Sequence, residues 1–152
     1  MAPLAAYCVA IAVIPDSIRD PRCATRVAKD GGANWIPDGS FPGEVTDARL
    51  RERLTQARDA GLQMLRVWGG GQYESETFYN LCDELGLLVW QDFPFACSSY
   101  PDDDVSFVRN VRHEASVQVR RLRHRVSLAM WCGGNENLEL SQGKWSGDRA
   151  PS

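Results

Sequence analysis

Phe78-Tyr79-Asn80-Leu81-Cys82-Asp83-Glu84-Leu85-Gly86-Leu87-Leu88-Val89-Trp90-Gln91-Asp92-Phe93 is the stretch that decides the fold class. Phe78, Leu81, Cys82 and Leu85 recur at helical spacing on one face, which predicts a helix from about Ser75 to Leu85. Gly86 is placed to stop that helix as a left-handed residue. Leu87 to Asp92 follows as a short apolar run and reads as a strand. A helix passing straight into a strand is the joint between two β/α units.

The alternation extends in both directions. Upstream, Gly31 to Pro37 reads as a first strand, broken by Pro37 and followed by a loop rich in Asp, Gly, Ser and Pro. Thr46 can cap a helix carrying Leu50, Leu54 and Ala57 on one face, with Gly61 at its end and a second strand, Leu62 to Trp68, starting at once. Gly69-Gly70-Gly71 closes that strand, and three glycines permit a sharp turn and leave room for a ligand near the backbone. No Gly-Lys-Ser/Thr follows, so this is a poor match to a nucleotide phosphate loop.

Downstream, an irregular Phe93–Cys97 loop leads to Tyr100-Pro101 and three aspartates that open a long helix. Val108, Val111, Ala115, Val119 and Leu122 form its apolar face, and Arg109, Arg112, Arg120, Arg121, Arg123 and Arg125 read as a solvated outer face. The run Ser127 to Cys132 is a fourth strand, stopped by Gly133-Gly134 just before Asn135 and Glu136. The order is β-loop-α four times over, lacking the last helix, and predicts an α/β fold.

In parallel α/β folds, ligands bind at the carboxyl ends of the strands. Asn34, Arg66, Trp68, Asp92, Asn135 and Glu136 would then converge from four strands on one face. Each has a plainer reading beside the functional one. Trp35, Trp90 and Trp131 read first as core, because indoles carry a large apolar area. Arg66 and Asp92 could equally pair with each other, and Glu136 could be a solvated loop carboxylate.

Composition sets wider bounds. A chain of 152 residues is one domain by default, and 43% hydrophobic with 24% charged residues is ordinary for a globular protein. A formal charge of −3 and a pI near 5.4 argue against a nucleic-acid partner. Cys8, Cys23, Cys82, Cys97 and Cys132 are widely spaced, with no Cys-x-x-Cys and no His at ligand spacing, and are taken as buried thiols. No metal or organic cofactor is required.

Residues 1–30 read as an irregular leader. Leu4 to Ile14 is apolar, but no Lys or Arg precedes it and no clear small-residue cleavage site follows, which favours a cytoplasmic location over export. It is also well short of the roughly 20 residues that span a bilayer, so no membrane partner is expected. Residues 31–140 form the regular part, and 141–152 are a polar tail.

Several motifs in this order resemble one family. Gly-Ala-Asn-Trp-Ile-Pro (32–37), Leu-Arg-Val-Trp-Gly-Gly-Gly (65–71), Phe78 to Phe93 and Trp-Cys-Gly-Gly-Asn-Glu-Asn (131–137) are similar to the β-mannosidase branch of family 2 glycoside hydrolases. The resemblance covers residues 31 to 137, or 107 of 152 positions. It implies the first four β/α units of a (β/α)8 TIM barrel that hydrolyses terminal β-mannosidic bonds with retention. By position it makes Glu136 the general acid/base and Asn135 the partner of the sugar 2-hydroxyl. It places Arg66 and Trp68 at the subsite for the cleaved sugar, and Trp145 near a further sugar-stacking indole.

The departures from the family carry expectations too. A retaining glycosidase needs a second carboxylate about 5 Å from the first, which the family supplies from the second half of the barrel. A whole (β/α)8 barrel takes ~250 residues, so 152 cannot hold one, and the family's preceding β-sandwich domains have no counterpart here. The expectation is a truncated fragment that carries the acid/base without the nucleophile, is inactive alone and self-associates through uncovered barrel edges. Gly134 stands where the family more often has Asn. The β-galactosidase and β-glucuronidase branches share the barrel and the Asn-Glu pair, and a non-catalytic carbohydrate-binding remnant or non-functional gene fragment is the alternative outside catalysis.

Overall fold

The computed structural model describes residues 31–137. The expected leader 1–30, the tail 141–152 and Trp145 lie outside the described residues. In chain order the elements are β1 (Gly32–Trp35), a 3-10 turn (Pro42–Glu44), α1 (Asp47–Asp59), β2 (Met64–Val67), α2 (Glu76–Leu85), β3 (Leu88–Asp92), α3 (Val105–Leu122) and β4 (Leu128–Cys132). The strands lie in the order β1-β2-β3-β4, and all three pairings are parallel. The described residues are therefore α/β, with a four-stranded parallel sheet and three α-helices.

Local chemistry sets the helix boundaries. Thr46 Oγ1 accepts from Arg49 N at the start of α1, and Ser75 Oγ accepts from Phe78 N at the start of α2, each at 3.3 Å. Asp104 Oδ1 caps α3 by accepting from Ser106 N at 2.7 Å and Phe107 N at 3.1 Å. Gly86, at φ 71°, ends α2 in the left-handed conformation that a Cβ disfavours.

The sheet divides its residues between two faces. Leu65, Val67, Val89, Leu128 and Trp131 pack against Leu50 and Leu54 of α1 and Phe78, Leu81 and Cys82 of α2. Leu54 and Phe78 are fully buried, and each such side chain contributes about 1.5–3 kcal/mol by leaving water. On the opposite face, strand alternation and register set Asn34, Arg66, Trp90 and Met130 in one row across the four strands.

Several sequence expectations change here. Arg121 and Arg125 are not a solvated outer face. Arg121 donates to Glu76 Oε1 at 2.5 Å and to the Glu74 carbonyl at 2.8 Å, while Arg125 donates to Glu76, to Asn80 Oδ1 at 2.5 Å and to Asp83 Oδ2 at 3.3 Å. Opposite charge on α2 and its N-terminal approach captures these two, whereas Arg109, Arg112, Arg120 and Arg123 remain exposed. On the apolar face of α3 Leu122 is buried, and Val108, Val111, Ala115 and Val119 are only half-buried. Nor are the cysteines uniformly core: Cys82 is buried, Cys132 is half-buried and Cys97 is exposed.

Candidate functional site

The site lies at the carboxyl ends of β2, β3 and β4, and it is organised around Asp92. This carboxylate is fully buried, and Arg66 grips it from the neighbouring strand through Nε to Oδ1 at 3.1 Å and Nη2 to Oδ2 at 2.7 Å. Gly69 N donates to the same Oδ2 at 3.1 Å. Of the two readings of this pair in the sequence, the ion pair is the one present. A parallel sheet makes it, because Arg66 and Asp92 project from the same face of adjacent strands.

Arg66 reaches further. Its Nη2 also donates to Asn135 Oδ1 at 3.1 Å, and its guanidinium carbon stands 5.2 Å from the centre of the Trp90 ring. Trp90 is thus half-buried on the Arg66 face, under a cation, and not in the helix-side core, whereas Trp131 is buried and stacks on Phe93 at 4.9 Å. Trp35 is half-buried, 5.1 Å from Phe78.

The loop after β4 carries the remaining groups. Asn135 N donates to Phe95 O at 2.8 Å and Cys97 N donates to Asn135 O at 2.9 Å, an isolated parallel bridge beyond the strand end. Asn135 Nδ2 then donates to Cys97 Sγ at 3.4 Å, and the thiol donates to Glu136 Oε2 at 3.5 Å. Cys97 (φ 47°) and Glu136 (φ 57°) both adopt the left-handed conformation, which is costly for side chains other than glycine. Glu136 is exposed among the described residues.

Gly134 admits no side chain in this arrangement, because a Cβ there would stand 2.7 Å from Phe95 O. The close approach of the two loops is the reason glycine fits at this position.

The other candidates lie apart from this cluster. Asn34 is exposed on β1, opposite Arg66 in register, and makes no side-chain hydrogen bond among the described residues. Trp68 lays its indole over Gly70, where a Cβ would meet the ring at 1.9 Å, and lines an open groove with Ile36, Pro37 and Gln72. The three glycines leave no vacant room for a ligand at their own α-carbons. A Cβ on Gly69 would strike Phe93 O and Phe95 O at 2.7 Å, and one on Gly71 would strike Pro37 at 2.8 Å.

Two residues escaped sequence reasoning. Cysteine's general preference for burial points to a core thiol at Cys97, although its place in the loop just beyond a strand's carboxyl end marks it as a candidate. Glu74 is almost fully buried and accepts from Trp35 Nε1 at 3.0 Å. Burial pushes its carboxyl above the ordinary range and prevails over that hydrogen bond. Among the described residues, no group of three or more His, Cys, Asp or Glu is placed to hold a metal ion, and no helix is long and apolar enough to cross a membrane.

A fixed amide beside an exposed carboxyl at a strand end can hydrogen-bond a hydroxyl and exchange a proton with its neighbour. No family model matches the chain. A β-mannosidase from Bos taurus is 54% identical over 106 residues, 70% of this chain and 12% of that protein. The crystal structure of a β-D-mannosidase from Dictyoglomus thermophilum superposes with a TM-score of 0.74 at 49% identity, over 80% of this chain and 15% of that one.

The chain is β-mannosidase-like. It spans about an eighth of the length of the curated relatives it matches. The β-mannosidase-like chain is also similar, at 29% identity and a TM-score of 0.55 over 61% of its length, to the apo structure of Bacteroides uniformis β-glucuronidase 3. Identity and superposition are both higher with the mannosidase.

Proposed function

We propose that residues 31–137 are the first four strands of a glycoside hydrolase (β/α)8 barrel acting on terminal β-mannosidic bonds, within a catalytic unit reaching to about residue 140. Glu136 is the general acid/base in this reading and Asn135 binds the sugar 2-hydroxyl. The observation that carries it is the Asn135–Glu136 pair at the carboxyl end of β4, with the Asn135 amide held by Arg66 Nη2 on one side and Cys97 Sγ on the other. An amide so fixed can tighten on the 2-hydroxyl as oxocarbenium character develops, which lowers the barrier rather than merely binding substrate.

Arg66 and Asp92 serve this site as a brace, since Nε and Nη2 of the guanidinium donate to Asp92 and Asn135, and Nη1 keeps its N–H donors for the sugar. In this reading Trp68 and Asn34 contact the substrate, and a sugar-stacking role falls to Trp145, which lies outside the described residues. Asp92 is held by three donors and is not free to attack an anomeric carbon, and in this reading the nucleophile of a retaining reaction lies outside residues 31–137. By themselves these residues are a non-hydrolysing half-site. The outer strands, β1 and β4, each pair on one side only within the described sheet, and such open edges favour self-association.

Ligand-observed NMR with aryl β-mannoside, β-galactoside and β-glucuronide tests the reading, alongside a turnover assay on the same chain. The expected result is preferential mannoside binding that Asn135→Ala weakens at least tenfold, with no release of the aryl group. Preference for glucuronide would move the substrate to the second group of relatives, and no sugar binding at all would remove the catalytic reading. Aryl release that Glu136→Gln abolishes would overturn the half-site.

A further inference from the structure

We propose that Cys97 is the positioning residue for Glu136, coupling the orientation of its carboxyl to that of the Asn135 amide; this rests on the reading of Glu136 as acid/base. The contacts form a directed series. Arg66 Nη2 donates to Asn135 Oδ1 at 3.1 Å, Asn135 Nδ2 donates to Cys97 Sγ at 3.4 Å, and the thiol donates to Glu136 Oε2 at 3.5 Å. Sulfur uses both its capacities, accepting from one functional residue and donating to the other. The series begins at a buried ion pair and ends at an exposed carboxyl.

The backbone is built to hold the thiol there. The Ala96–Asn135 bridge fixes the two loops side by side, and the left-handed conformations at Cys97 and Glu136 turn their side chains toward each other. Two such conformations persist only where the surrounding structure imposes them. An exposed glutamate with several rotatable bonds samples many rotamers, and a single donor at Oε2 reduces that freedom before substrate arrives. A movement of the Asn135 amide on binding a hydroxyl is thereby transmitted to the acid that must protonate the adjacent oxygen.

Alkylation of the intact chain, followed peptide by peptide with mass spectrometry, reads the contact without requiring turnover. Replacing the carboxylate with an amide in Glu136→Gln is expected to speed alkylation of Cys97 by about 3- to 10-fold, because a neutral amide oxygen accepts the thiol hydrogen bond at 3.5 Å more weakly than a carboxylate and holds the sulfur less firmly. Cys82 should stay unreactive in both forms, since it is fully buried and burial pushes its thiol up to about 12. In parallel, side-chain scalar couplings of Glu136 should report one χ1 rotamer in the native chain and in Cys97→Ser, and rotamer averaging in Cys97→Ala. An unchanged Cys97 rate in Glu136→Gln, or equal averaging in the native chain and Cys97→Ala, would overturn the proposal. Neither measurement depends on sugar specificity, so failure of the mannoside reading is seen separately, in the binding assay.

Discussion

Substituting Arg66 by Met should be among the most damaging single changes in the described chain. The Asp92 carboxylate has no solvent exposure and accepts three hydrogen bonds, at 3.1, 2.7 and 3.1 Å, of which Arg66 supplies the first two and Gly69 N the third. Arg66→Met leaves a buried charge with one neutral donor and also removes the bond to Asn135. Breaking one side of a buried pair typically costs about 3–5 kcal/mol. For a chain of 152 residues each kcal/mol is worth ~2–4 °C, so Tm should fall by about 6 °C at least.

The control is the double variant Arg66→Met/Asp92→Asn, which removes the charge while keeping an acceptor for Gly69 N. Its loss should be at least about 2 kcal/mol smaller than that of the single variant, because replacing both members of a buried pair is often close to neutral. Urea unfolding followed by tryptophan fluorescence gives the totals, and hydrogen exchange at the Gly69 amide gives the local effect. A loss below about 1 kcal/mol for Arg66→Met, or a double variant no better than the single, would refute the view that Arg66 is the counter-charge on which Asp92 depends.

Three further outcomes follow from individual contacts. Glu74→Gln should be more stable than the native chain at neutral pH. Burial raises the Glu74 carboxyl, so its stabilising share is complete below about pH 4.3 and is lost as pH rises through the raised value; the advantage of the variant should vanish at pH 3–4 in a pH series of urea midpoints. Glu76 behaves oppositely: partial burial raises its carboxyl, but the hydrogen bonds from Arg121 and Arg125 outweigh it and hold it below the ordinary range. Its contribution is present above about pH 4.3 and lost as pH falls below, so Glu76→Gln should cost stability at pH 6 and nothing at pH 2. Gly134→Ala should cost about 1–3 kcal/mol, because the new methyl group meets Phe95 O at 2.7 Å, and amide exchange at Asn135, whose N–H donates to that same oxygen at 2.8 Å, should speed up.

Periodicity and punctuation make the elements between residues 31 and 137 legible in the sequence itself. Thr46, Gly61, Ser75 and Gly86 lie where the helices start and stop, because capping is a contact within four residues and is written locally. The alternation of Phe78 to Leu85 with Leu88 to Asp92 likewise predicted helix and strand, and the motifs around Asn135 and Glu136 pointed to the mannosidase-like relatives. What periodicity could not show was which polar residues touch. Arg66 and Asp92 are 26 positions apart, and Cys97 and Glu136 are 39 apart. Such pairs meet only when parallel strands bring their carboxyl ends level.

The same limit explains the corrections. Cys97 read as a core thiol, because cysteine in general is a small buried hydrophobe, and only the approach of the Phe93–Cys97 loop to Gly134 and Asn135 makes it a surface donor. Arg121 and Arg125 read as solvated, because charge on a helix face is usually so, and only the docking of α3 beside α2 supplies Glu76 and Asp83. Sequence by itself determined the α/β order, the helix caps and the strand ends that carry the polar candidates, since each depends on neighbours in the chain. Tertiary structure decided that Arg66 spends its charge on Asp92 and Asn135 and that a thiol stands between Asn135 and Glu136, since those contacts depend on register and loop approach across the sheet.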